Sequence, residues 1–198
     1  GTGARTIGAC RAARIGVLDT PSARESALTD LRQISELLES LGLTWSLQGG
    51  SVLGLYRDGG FLSNECDIDI TILAEQWTPD VDRAAQELGF SSRIYHQGVG
   101  DNGLHVIWQR TGSWPIEIYP THEACFFGKR LRYNGGDRYW RYYFPPHFVE
   151  NTRRVELLGV PVRIPAATEA YLRWYFGESY STPLGDDQWD WVKRPGAR

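Results

Sequence analysis

The sequence contains no methionine, only three cysteines and only two lysines, and none of its apolar runs approaches membrane-spanning length. Each absence excludes something. Cys10, Cys66 and Cys125 make neither a metal-spaced cluster nor a disulfide framework, which suggests a reducing, cytoplasmic setting. A span needs about 20 consecutive apolar residues, so no membrane crossing is expected, and no signal peptide is visible. With no methionine, the start of the chain is expected to have been processed or trimmed. Excess basic charge is missing too: 21 Lys and Arg stand against 24 Asp and Glu, for a net charge of -3. Non-specific nucleic-acid binding rests on a basic surface, so nucleic acid is not an expected partner. Apart from Lys129 and Lys193 the basic residues are arginines, which suit bidentate phosphate contacts, although a GC-rich genome produces the same bias. No Walker loop, Ser-His-Asp set or zinc spacing occurs.

What remains is an ordinary globular composition, 198 residues with 41% hydrophobic and 23% charged. That length suits one domain with a real core. Residues 1–20 show no period and read as a loose N-terminal segment, with a single domain over 21–198. Ser22 to Glu25 reads as a capping box, followed by Ala27, Leu31, Ile34, Leu38 and Leu41 at helical spacing and a stop at Gly42. Pro79 to Leu88 reads as a second helix. Three short runs, Phe90 to Tyr95, Leu104 to Arg110 and Trp114 to Tyr119, read as strands with turns at Gly98–Gly103 and Thr111–Ser113. Sequential strands of this kind predict an antiparallel or mixed sheet.

The chemistry concentrates between Gln48 and Ile72. An apolar run (Leu43, Trp45, Leu47) leads into Gly49-Gly50-Ser51 and a short helix-like stretch, Val52 to Arg57. Glycines there allow close backbone approach to a ligand, and N–H groups at a helix start favour an anion; Ser51 could equally be a plain cap. After Gly59-Gly60 the chain alternates strictly, with Cys66, Ile68, Ile70 and Ile72 on one face and Asp67, Asp69 and Thr71 on the other. Two carboxylates on one strand face repel unless a divalent cation joins them. The plain alternative is an edge strand with both aspartates in water. Ile116-Glu117-Ile118 repeats the pattern, so Glu117 can complete a three-carboxylate site if its strand lies beside that of Asp67. His122, five residues on, is a candidate proton acceptor. From Glu123 to Tyr143 arginine and aromatics interleave (Arg130, Arg132, Tyr133, Arg138, Tyr139, Trp140), either as a packed hairpin or as a grip on a nucleotide or charged small substrate.

Strand, Gly-Gly-Ser turn, short helix and Asp-x-Asp strand together resemble the nucleotidyltransferase fold. Gly50 to Arg57, Gly60-Phe61-Leu62 and Glu65-Cys66-Asp67-Ile68-Asp69 resemble, within it, the LicD family of bacterial phosphocholine transferases and fukutin-related proteins. That family's pattern has Thr at Ser51, Asp at Glu65 and Cys66, Pro-Trp at Ser63-Asn64, and Asp at Glu117. Phe144 to Pro165 resembles its helix-then-hairpin segment, and Tyr171 to Pro183 its closing pattern. The resemblance implies an α+β fold: a mixed sheet flanked by helices, with a C-terminal hairpin-and-helix extension. It also implies Mg2+, with Mn2+ as the alternative, on Asp67, Asp69 and Glu117. Gly49, Gly50, Ser51 and Arg57 would bind nucleotide phosphates. The implied reaction moves a phospho-alcohol, such as phosphocholine or ribitol phosphate, from a CDP-activated donor to a hydroxyl acceptor such as a glycan. Two alternatives stand beside it: transfer of NMP from an NTP to a small-molecule hydroxyl, and a non-catalytic nucleotide-binding pseudoenzyme.

Overall fold

The computed structural model describes residues 20–62, 65–96, 104–135 and 141–183. Residues 1–19 of the expected loose N-terminal segment with Cys10, Ser63-Asn64, the whole Gly98–Gly103 turn, Arg138, Tyr139 and Trp140 lie outside the described residues. Helix α1 (Pro21–Ser40) starts earlier than the capping box suggested. Thr20 is the N-cap, its Oγ accepting from the Ala23 N–H at 3.1 Å, and Pro21 takes the first helical position. Proline has no N–H to lose there and its φ is already helical, so Pro21 outweighs the Ser22 signal. Ala27, Leu31, Ile34 and Leu38 are buried as the spacing predicts. Leu41 instead is the C-cap and is exposed, with Gly42 following in the left-handed region at φ 66°.

Strand β1 (Trp45–Leu47) runs into α2 (Gly49–Leu53), which continues as one π-helical turn over Gly54–Asp58. Only glycine fits at Gly54, because a Cβ there would stand 2.5 Å from the Gly60 carbonyl oxygen. Next come β2 (Ile68–Leu73), a 3-10 turn (Ala74–Gln76), α3 (Pro79–Glu87), β3 (Ser91–His96), β4 (Leu104–Gln109) and β5 (Ile116–Phe126). Strands β6 (Lys129–Gly135) and β7 (Arg141–Phe144) follow, then α4 (His147–Glu150), the β8 (Thr152–Leu157) and β9 (Val160–Pro165) hairpin, and α5 (Thr168–Phe176). The central sheet runs β1-β2-β5-β4-β3. Among the described residues, β2 and β5 pair parallel and the other pairs of this path are antiparallel. The expected mixed sheet with flanking helices is therefore the fold.

Strand β5 runs seven residues past Tyr119, because His122 to Phe126 find a second partner in β6, which in turn pairs with β7. The basic-aromatic stretch is thus a hairpin, one of the two readings its sequence allowed. Ile68, Ile70 and Ile72 of β2, Ile116 and Ile118 of β5, and Trp45, Trp108 and Trp114 are fully buried. Each such aliphatic side chain contributes about 1.5–3 kcal/mol. Hairpin β8–β9 closes on α1 through the buried Leu157, Val160, Val162 and Ile164 and through Ser35, whose hydroxyl donates to the Pro161 carbonyl at 2.6 Å. Cys66 is buried and disulfide-bonded, against the sequence expectation. A single bridge leaves no spacing pattern to read, and its presence removes the cysteine argument for a reducing setting. No helix among the described residues is long and apolar enough to cross a membrane.

Candidate active site

The parallel β2–β5 pair sets the geometry. Its register aligns Ile68 with Ile116 and Asp69 with Glu117, so two acids lie side by side on neighbouring strands. Asp67, just before β2, shares that face. One carboxylate oxygen from each of Asp67, Asp69 and Glu117 lies within 4.8 Å of the other two. Asp67 and Asp69 are half-buried and Glu117 is buried. Thr71 continues the face but is buried, its hydroxyl donating to the Tyr119 carbonyl at 3.1 Å. Three carboxylates at this separation form an all-oxygen donor set of the kind hard divalent cations take.

The Gly49-Gly50-Ser51 turn holds the Asp69 backbone from both sides. Gln48 donates its N–H to the Asp69 carbonyl at 3.0 Å, and the Ser51 Oγ accepts from the Asp69 N–H at 3.1 Å. Ser51 is 1% exposed, so its hydroxyl anchors β2 to α2. Gly49 is left-handed at φ 56°, and a Cβ there would lie 3.2 Å from Asp69 Oδ2. Its N–H donates to the Tyr171 hydroxyl at 2.8 Å, which ties the turn to α5. Gly50 has another reason to be glycine. A Cβ at that position would stand 1.8 Å from Glu65 Oε1, so the opening admits this chain's own carboxyl group. Burial pushes the Glu65 carboxyl well above its ordinary range; the charge of Asp67 adds to the rise and Arg24 opposes it. Its Oε2 is enclosed and has no hydrogen-bond partner among the described residues.

Arg57 sits in the π-helical turn with its guanidinium in a bidentate pair with Asp58, at 2.7 and 2.8 Å. His122 does not join the carboxylates. Alternation along β5 puts Glu117, Tyr119 and Thr121 on one face and His122 on the other, where it stacks on Tyr133 at 5.4 Å. The histidine that reaches the site is His105 of β4, with Nε2 3.1 Å from Glu117 Oε2. Tyr119 donates its hydroxyl to the same oxygen. Burial, then the charges of Asp69 and Glu117, raise the Tyr119 hydroxyl well above its ordinary range, so it keeps its proton. The strands bearing His105 and Tyr119 were legible. The antiparallel register that pairs Ile107 with Glu117, and so brings His105 to that face, was not.

Residues 42–167 match the family described as LicD/FKTN/FKRP, nucleotidyltransferase domain. The chain belongs to that family. Among curated proteins it is similar to ribitol-5-phosphate transferase FKTN of Mus musculus, 25% identical over 177 residues, covering 87% of this chain and 36% of that protein. The Homo sapiens protein of the same name is 24% identical with the same coverage. The chain thus spans about a third of the length of the curated relatives it matches. Among solved structures it is similar to lincosamide antibiotic adenylyltransferase LnuA, lincomycin-bound, at TM-score 0.50 and 18% identity, over 80% of this chain and 90% of that one. That likeness establishes the nucleotidyltransferase fold of this LicD-family domain.

Proposed function

We propose that this LicD-family domain is a metal-dependent phosphotransferase. It would move a phospho-alcohol group, such as ribitol phosphate or phosphocholine, from a CDP-activated donor to a hydroxyl acceptor such as a glycan. The observation that carries the proposal is the convergence of Asp67, Asp69 and Glu117 within 4.8 Å, in a chain whose residues 42–167 match the family. The donor set fits Mg2+ or Mn2+, and a bound cation would supply neutralisation of phosphate charge for an in-line displacement at phosphorus.

The protein's own part is to hold that geometry. Parallel pairing fixes Asp69 beside Glu117, while Gln48 and Ser51 lock the Asp69 backbone. Gly49 lets the α2 turn approach the Asp69 carboxylate closely, and the same side of the turn would admit donor phosphates. Gly50 contributes by leaving room for Glu65. Arg57 stands outside the proposal while Asp58 occupies its fork.

The test is product analysis with labelled CDP-ribitol and CDP-choline, Mg2+ and candidate glycan acceptors. CMP release that depends on both cation and acceptor is the expected result. Pyrophosphate release from an NTP, with CDP-alcohols untouched, would replace the reading with nucleotidyl transfer. No turnover with either donor class would leave a binding domain.

A further inference from the structure

We infer that His105 and Tyr119 are positioning residues for Glu117, clamping one oxygen of its long, rotatable side chain in the orientation a metal site needs. The inference rests on the metal-site reading above and deepens it. Glutamate carries one more methylene and one more torsion than aspartate, so its carboxylate reaches farther and samples more orientations. A ligand of that kind needs outside partners to hold one geometry.

Among the described residues, Tyr119 and His105 act as such partners. Tyr119 lies two residues along β5, on the same face as Glu117, and donates its hydroxyl to Oε2. His105 approaches from β4 with Nε2 3.1 Å from the same oxygen. An ionised carboxylate only accepts hydrogen bonds, so a clamp on it needs both partners to donate. The imidazole is itself fixed. Its ring is 7° from parallel with the Tyr119 ring at 4.5 Å between centroids, and Tyr95 stands 5.9 Å away. His105 and Glu117 are each 7% exposed, so water competes little for these bonds. An aspartate at 117 would end about one bond length, roughly 1.5 Å, nearer the backbone, outside the reach of His105 Nε2.

The experiment measures Mn2+ binding alone, by the loss of the free-ion electron paramagnetic resonance signal, alongside thermal stability. Tyr119→Phe and His105→Ala are each expected to weaken Mn2+ binding by roughly 10-fold, the lower end for loss of a group that supports a metal ligand. His105→Gln, which puts an amide N–H near the former Nε2–H, should recover most of that loss. In an Glu117→Asp background Tyr119→Phe and His105→Ala should change the affinity by less than about twofold, because the shorter carboxylate is no longer clamped. Equal losses in both backgrounds would mean that the pair acts through general structure, and would overturn the clamp. So would Mn2+ affinity that survives both Tyr119→Phe, the mildest change, and His105→Ala. Absence of Mn2+ binding by the unmodified protein would instead overturn the metal reading beneath it.

Discussion

Around Arg132 of β6, acids meet guanidinium groups: Glu75 at 2.6 and 2.8 Å, Glu150 at 2.7 Å and Glu123 at 3.7 Å, with Arg130 beside them reaching Glu123 and Glu150. Around Asp69, acids meet one another. Asp67, Asp69 and Glu117 sit within 4.8 Å, and a fourth carboxyl, Glu65, is enclosed next to them. The first arrangement joins the hairpin to the 3-10 turn and to α4, and every charge in it has its opposite. In the second, each pair of unit charges at that distance repels by about 1 to 3.5 kcal/mol, depending on the effective dielectric. Matched acids in this protein do structural work. Acids brought this close are the donor set a divalent cation takes, and that is the physical case for proposing a site there.

The sharpest way to break the comparison is to neutralise one acid in the crowded region. Asp69→Asn, and separately Asp67→Asn, should lower turnover by more than roughly 100-fold, beyond what loss of a merely supporting group costs a metal site. The melting temperature of the metal-free protein should stay level or rise, since a repulsion is removed. Turnover assays with CDP-alcohol donors and a chelated melting scan check both halves. Near-normal activity in either variant would remove the cluster from the chemistry.

Much of this region was readable before the fold. Period-two alternation from Cys66 to Ile72 put both aspartates on one face, and the repeat at Ile116-Glu117-Ile118 nominated the third acid. Those are local patterns, and local patterns survive in sequence. Three features did not. Glu65 under Gly50 is a contact across the turn, invisible to a reading that assigned the glycine to ligand approach. His105 depended on strand register, which one slip would have reversed. The Arg132 network joins residues up to 57 positions apart, and in sequence it was only an arginine-rich stretch. Thr20 replacing Ser22 as the cap of α1 is a smaller miss, set by Pro21.

In the matched region the corresponding perturbation acts on stability. Arg132 is buried, with 4% of its side chain exposed, while Glu75 is half in water at 52%. Arg132→Ala strips the guanidinium from Glu150 and Glu75. Loss of one partner from a fully buried pair costs about 3–5 kcal/mol. Because Glu75 and Glu150 can turn toward solvent, the expected loss is about 1–3 kcal/mol in urea unfolding. A loss below about 0.5 kcal/mol would put this network among surface ion pairs and erase its contrast with the cluster.

Gly50 tests what lies between the two regions. Read from sequence alone, Gly50 serves close approach to a ligand, and a side chain there would cost binding rather than stability. The 1.8 Å approach to Glu65 Oε1 reverses that expectation for stability. Gly50→Ala should destabilise by about 1–2 kcal/mol, since the enclosed carboxyl has to shift. The loss should be smaller in a Glu65→Ala background, where the obstructing group is gone. Equal losses with and without the Glu65 side chain would show that the turn, not the carboxyl, dictates glycine.

The smallest effect is on pH dependence, and its sign separates the two kinds of acid. The hydrogen bond to Arg132 holds Glu75 below its ordinary value of 4.5, more than burial raises it. A group depressed in the folded state stabilises the protein above its unfolded pKa, and that contribution fades as pH falls from about 4.5 through the lower folded value. Glu65 is raised instead, chiefly by burial. A raised carboxyl favours the folded state below its unfolded pKa of about 4.5, and that preference is lost as pH rises through the folded value. Melting curves from pH 3 to 7 in chelator should therefore split the two variants. Glu75→Gln should lower the melting temperature at pH 7 by a degree or so and converge on the parent near pH 3, because half of the Glu75 side chain is already solvated. Glu65→Gln should do the reverse, matching the parent in acid and exceeding it at pH 7. If Glu65→Gln instead loses stability as pH rises, its carboxyl is ionised in the folded protein and belongs with the matched acids.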